Sequence, residues 1–455
     1  MTRTPTTRRA LISGAVLLSS GLAAACGQFG QREVTPPTAR RTPTPLLAWV
    51  GPPVDTIGPG ADFWKTTEAL LRTEHPEILL DRNRPAIPEN QTFDDMLIAN
   101  FAAGSGPDVW EGDVTPWRQE VKVKLGIPLA LESYYARLPN LKRIFGWMKE
   151  QARIQGKLYG VPHEVEFIAV FYNKRVFAAA NVKPGRTWEE FLKTGETLKA
   201  QGIQPLNQRA APNMGHLWSL TLAAIAGRQG VDDIVAGKAR WDGTAPVLAG
   251  ETLVDLQRRG ILPRYASIVG NQPFAEFPMG DSFFEGKVAQ WVTGTWSIAG
   301  FEKQKVDRGG LFDYDFYALP SPNNSRKPEL AGSAGGGFSI WAKSKVPDVA
   351  ATFIDWLYSP PVQRAWIEIL FQVPPVPFKI EDYKLSDGER RALALIHDYE
   401  KLGFGWNVDV IMPVEMHREF WPLLSEVMLG KKTPREMMTR LQQLWETEQA
   451  KLKAR

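Results

Sequence analysis

Residues 156–192 read GKLYGVPHEVEFIAVFYNKRVFAAANVKPGRTWEEFL, and this stretch decides the architecture. A turn signal opens it, and Leu158–Tyr172 is rich in Val, Ile, Phe and Tyr, which predicts a strand. Asn173-Lys174 interrupts that run, a short helical pattern follows, and Pro184-Gly185 closes it. Thr187 then stands at a helix start, with Glu190 three residues on to complete a capping box.

The same rhythm runs upstream. Leu46–Val50 is a short apolar run ended by Gly51-Pro52-Pro53, and a helix is expected over Asp62–His75 before a second strand at Ile78–Asp81. Thr92 caps a helix whose Phe93, Met96, Leu97 and Phe101 share one face, and Asp108–Glu111 begins a third strand. Such alternation predicts a mostly parallel sheet flanked by helices. A chain of 455 residues exceeds one compact core, so two lobes are expected. Composition is that of a soluble globular protein, 44% hydrophobic and 23% charged, with 16 tryptophans.

Downstream, FFEGKVAQWVTGTW (283–296), GSAGGGFSIWAKSK (332–345) and the run from Ser344 through Gln363 add further typed positions. With the opening stretch and Ala103–Trp110, they resemble the extracellular solute-binding proteins of ABC importers. That large sugar-binding family includes the maltose- and glycerol-phosphate-binding proteins. The resemblance implies a two-lobe α/β periplasmic-binding-protein fold of class II type, with mostly parallel sheets flanked by helices. It implies three hinge crossings, near Pro162–Phe167, Gln290–Trp296 and Gly332–Phe338. The N-terminal lobe would then be 46–165 with 292–333, including a strand at Tyr314–Leu319, and the C-terminal lobe 166–291 with 334–455. It further implies a monomer without cofactor that hands a solute to a membrane permease.

The first 45 residues read as a separate device. Arg8-Arg9 precede an apolar stretch, Ala10–Ala25, that is too short for an ordinary transmembrane span and reads as a signal peptide. Its L-A-A-A-C ending resembles a lipobox, which would make Cys26 the lipidated first residue and anchor the protein outside the cell membrane. Plain cleavage near Ala25 is the alternative, and the arginine pair hints at twin-arginine export. Residues 26–45, rich in Pro and Thr, read as a tether. The formal charge of +4 includes Arg3, Arg8 and Arg9, so the remainder is nearly neutral, which argues against a nucleic-acid partner.

Glu164 and Glu166 are two apart in an extended run and so share a face. At roughly 6–7 Å between backbones the pair is compatible with a glycosidase, but neighbours on one strand attack a bond poorly from two sides. Charged acceptors for sugar hydroxyls are the alternative, as is a solvated or ion-paired edge. Aromatic plates for a pyranose face are Trp49, Trp110, Trp218, Trp296 and Trp406, each with burial in the core as the competing reading. The resemblance adds Glu111 and Asp113 after the third strand, His163 in the first crossing, and Gly294, Gly336 and Gly337 as backbone donors or acceptors. The glycine cluster lacks a P-loop ending and precedes a strand, so no nucleotide site is expected. Five scattered histidines give no metal-ligand spacing, and no serine-hydrolase elbow occurs. The expected role is capture of a sugar without catalysis. The alternatives are a non-sugar solute, such as a glycerol phosphodiester or a polyamine, and a secreted carbohydrate-active enzyme.

Overall fold

The computed structural model describes residues 42–52, 58–88, 92–207, 213–269, 272–275, 280–323, 330–334, 336–400, 407 and 411–453. The signal peptide, Cys26 and most of the tether therefore lie outside the described residues, as does Trp406.

Two sheets organise the body. The first is five-stranded and contains β1 (Thr44–Trp49), β2 (Ile78–Asp81), β3 (Val109–Asp113), β4 (Val161–Pro162) and β9 (Gly336–Ile340) in the order β2-β1-β3-β9-β4. β1 pairs in parallel with β2 and β3, as the strand–helix rhythm requires, while β9 inserts antiparallel between β3 and β4. The second sheet is four-stranded and centres on β5 (Val165–Asn173). β6 (Gln290–Gly294) flanks one edge of β5, and β7 (Tyr314–Tyr317) and β8 (Ala331–Ala334) share the other, all antiparallel.

β5 is almost continuously apolar because both its faces are covered. Val165, Phe167, Ala169 and Phe171 enter one core, together with Phe301 and Phe316. Ile168 and Val170 point the opposite way, into a core shared with Trp218, Leu253, Phe420 and Leu441. β1 divides in the same manner, Leu46 and Ala48 toward one core and Trp49 toward a smaller one with Phe101 and Trp110.

Helix starts follow the sequence closely. Thr92 and Asp95 form a reciprocal capping box, as do Thr433 and Glu436. Thr187 Oγ1 accepts from Glu190 N–H, and the Glu190 carboxylate accepts from Arg186 N–H.

One of the three expected crossings needs relocating. The first holds: β4 in the first sheet passes through His163-Glu164 into β5 in the second. The one expected at Gln290–Trp296 does not occur there. All of β6 is buried and pairs with β5 from Gln290↔Tyr172 to Gly294↔Ile168, so the chain remains in the second sheet. The return runs from Ala334 in β8 to Gly336 in β9, within the segment expected as the last crossing. The strand at Tyr314–Tyr317, expected in the first lobe, likewise belongs to the second sheet, and β9, expected in the second lobe, belongs to the first. The third passage follows helix Pro360–Leu370, which packs on the first lobe through Trp366 against Phe63 (centroids 4.2 Å apart). Val373 then bridges to Val165, and helix Asp387–Glu400 reaches the second sheet, where Arg391 donates to Phe316 O. Two smaller expectations also shift. The first strand starts at Thr44, inside the expected tether, and the loop expected at Tyr265–Gly280 contains a hairpin of Tyr265–Val269 against Gln272–Ala275.

Candidate functional site

The carboxyl end of β3, the first crossing and the start of β9 meet at one point. Glu111 leaves β3 with both oxygens engaged. Gly51 N–H donates to Oε2 at 2.5 Å, and His163 Nε2 lies 3.1 Å from Oε1. Gly51 can turn there because its φ is +64° and a Cβ would fall 1.8 Å from Trp64 Nε1. His163 N–H donates to Gly336 O, and its ring stacks on Trp366 (5.5 Å, 16°). Glu164 Oε1 sits 3.8 Å from His163 Nδ1, too far for a hydrogen bond, so that buried nitrogen lacks a partner among the described residues.

The charges of this triad depend on one another. Burial opposes the Glu111 carboxylate, but the His163 hydrogen bond and charge, with the Gly51 amide, hold its pKa below the ordinary value. Burial likewise opposes the His163 imidazolium, yet the bond to Glu111 and the charges of Glu164, Glu111 and Asp113 hold its pKa above the ordinary value. Glu164 has no such anchor, and burial pushes its pKa up against the attraction of His163.

A cleft of about 800 Å³ opens beside this point. Its first-lobe wall includes Phe93, Asp94, Asp113 and Lys122, and its second-lobe wall includes Glu415, His417 and Arg418 from the start of helix Val414–Met428. The charges in the wall are matched to one another. Lys122 Nζ is 2.9 Å from Asp94, Lys124 Nζ 3.0 Å from Glu120, and Lys451 Nζ 2.6 Å from Glu448. Arg418 Nη1 reaches both Glu415 oxygens at 2.9 Å, and Asp95 is held by its capping box.

The expected residues divide between this region and the cores. Asp113 lines the cleft, whereas Glu111, His163 and Glu164 form the network behind it. Glu166 is half-buried on β5 opposite Ser333. Trp296 is half-buried and packs on His216 with centroids 5.1 Å apart. Trp49, Trp110 and Trp218 are core residues instead of open plates, because strand alternation or a helix interior turns each inward. The three glycines act through space. A Cβ at Gly294 would meet the Trp296 ring at 2.0 Å, at Gly336 His163 Nε2 at 2.9 Å, and at Gly337 Val161 O at 2.5 Å.

His417 and Trp421 were not singled out by the sequence reading. They stand four apart on one helix face, with the Trp421 Nε1–H donating to His417 Nε2 at 3.3 Å. That spacing of a histidine and a tryptophan was the available signal.

The comparisons with known proteins fit this geometry. The family model for bacterial extracellular solute-binding proteins matches residues 86–364. The maltodextrin-binding protein MdxE of Bacillus subtilis is 23% identical over 271 residues, 58% of this chain and 60% of its own length, so the match spans less than two thirds of that relative. A structure from work on xylan utilization by the thermophilic bacterium Caldanaerobius polysaccharolyticus superposes with a TM-score of 0.72 at 20% identity, covering 88% of this chain and 99% of the other. A chitin oligosaccharide binding protein superposes with a TM-score of 0.69 at 19% identity, covering 88% and 98%. The two-lobe fold, the crossings and the extent of the family match lead to one conclusion: the chain belongs to the bacterial extracellular solute-binding protein family.

Proposed function

We propose that this protein is the extracytoplasmic capture subunit of an ABC importer, closing two lobes around a neutral sugar or oligosaccharide. The observation that carries the reading is the charge pattern of the cleft. Each cation in its wall already faces a carboxylate, so no surplus positive charge awaits a phosphodiester. A wall of paired charges offers many fixed donors and acceptors at little net field, which suits a ligand made of hydroxyl groups. A volume of about 800 Å³ leaves room for more than a monosaccharide. The relatives' own names, maltodextrin-binding and chitin oligosaccharide binding, agree with this reading.

Within the proposal, Asp113, Trp296 and His417 contact the sugar, with Glu164, Glu166 and the backbone at Gly336 and Gly337 beside them. The lobes are 43–163 with 336–371, and 164–334 with 374–453. Cys26 carries the lipid that tethers the protein, as a monomer, near its permease. The ligand closes the lobes by binding the closed state more tightly than the open one. No bond is made or broken.

The test is a thermal-shift and calorimetric screen of the mature protein against mono-, di- and oligosaccharides. A sugar at 100 times its Kd adds about 2.7 kcal/mol of stability. Response to one sugar class supports the proposal. Silence across sugars with a response to glycerol phosphodiesters or polyamines overturns the ligand, and turnover of an aryl glycoside that is lost in Glu164→Gln overturns capture without catalysis.

A further inference from the structure

We propose that the second lobe carries, apart from the cleft, a binding site for a small aromatic anion, its charged head on Lys183 and Arg186 and its ring against Tyr172 and Tyr317. The site is a pocket of about 640 Å³. Tyr172 lies seven residues along β5 from Val165 at the first crossing, about 23 Å at the rise of an extended strand. A ligand there would sit well outside the hinge.

The pocket is built by the turn that closes the 156–192 stretch. Pro184 and Gly185 join Lys183 to Arg186, and all four residues belong to the lining. The turn is pinned at both ends, Thr194 Oγ1 donating to Lys183 O at 3.0 Å and Arg186 N–H donating to Glu190 Oε2 at 2.7 Å. Gly185 allows the turn to press on the following helix, since a Cβ there would lie 2.3 Å from Phe191 N. The backbone carrying the two cations is therefore fixed before any ligand arrives, which lowers the ordering cost of binding.

Charge favours an anion. Among the described residues neither Lys183 nor Arg186 has an ion-pair partner, unlike the cations of the cleft, and no carboxylate lines the pocket. The acids that bear on these residues are engaged, Asp315 by Arg391, Asp313 by Lys174 and Lys305, and Glu190 by the Arg186 amide. The floor is aromatic, with the Tyr172 and Tyr317 rings 6.0 Å apart at 66°. Burial, with the charge of Asp315 to which its hydroxyl donates at 3.5 Å, pushes the Tyr172 phenol up to about 12, so the ring stays neutral. The two phenol hydroxyls are engaged by Asp315 and Gln290, so the tyrosines offer ring faces, and two unpaired cations in the same lining suit a phosphate or carboxylate joined to a flat ring.

The test titrates the mature full-length protein with phenyl phosphate at fixed ionic strength, by calorimetry and thermal shift, with inorganic phosphate and phenol as the separated halves of the probe. Saturable binding of phenyl phosphate, tighter than either half and weakened at least tenfold in the Lys183→Ala/Arg186→Ala variant, is the expected result. Both side chains are exposed, so that variant folds and its response to any cleft ligand stays unchanged. Reversal to Lys183→Glu/Arg186→Glu abolishes binding altogether. Equal binding in either double variant, phenol binding as tightly as phenyl phosphate, or a response reproduced by sodium chloride overturns the proposal. The outcome is independent of which sugar, if any, enters the cleft.

Discussion

The first and second crossings run side by side between the lobes and are built from opposite materials. The first carries three consecutive bulky or charged positions, Pro162, His163 and Glu164, whereas the second carries Gly336 and Gly337, which present no side chain at all. The contrast is mutual. His163 can lie 3.1 Å from Glu111 because nothing projects from Gly336, and β9 can lie against β4 because a Cβ at Gly337 would strike Val161 O. One strand supplies charge and the other supplies room for it.

Breaking the charged side should cost most. Glu111→Ala removes the partner that holds a buried imidazolium and leaves Gly51 N–H without its acceptor. A loss of about 3 kcal/mol is expected in urea unfolding. Filling the empty side comes next. Gly337→Ala forces a methyl group to within 2.5 Å of Val161 O and 2.6 Å of Val114 Cγ1, for a loss of about 2 kcal/mol by the same measurement. An unchanged midpoint in Gly337→Ala would mean that the strands are not clamped as described. Smaller again is Trp296→Ala, at the half-buried ring beside His216. It should weaken sugar affinity about tenfold in calorimetry, near 1.4 kcal/mol.

The gentlest probe is pH. His163 has a folded pKa above its ordinary 6.5, so the folded state holds that proton more tightly. Its contribution is complete below 6.5 and is lost as pH rises through the raised value. Glu164, also raised by burial, acts in the same sense from 4.5 upward, while Glu111, lowered, loses its contribution only as pH falls below 4.5. Stability measured between pH 6 and 9 should therefore decline. The decline should be shallower in His163→Gln, and equal slopes in the two proteins would detach this histidine from the effect.

Much of the fold was legible because it rests on local chemistry. The caps at Thr92 and Thr187 and the apolar run of β5 state their structure within a few residues. The misplaced crossing shows where this stops. A strand that runs along its neighbour and one that leaves for the other lobe have similar composition, and only pairing with β5 fixes Gln290–Gly294 in the second sheet. The tryptophans fail for a related reason. Trp110 and Trp296 have the same side chain, and the face on which each falls is decided by partners on other elements, Trp49 and Ile127 for one and His216 for the other. The cleft's paired charges were least legible, since Lys122 meets Asp94 and Arg418 joins the same wall from helices some 300 residues apart.

Capture between two lobes is tested most directly by small-angle X-ray scattering of the mature protein, free and saturated with whichever sugar stabilises it. The account predicts a smaller radius of gyration in the saturated sample, with a concentration dependence that follows the calorimetric binding curve. Saturation at unchanged compactness would contradict it.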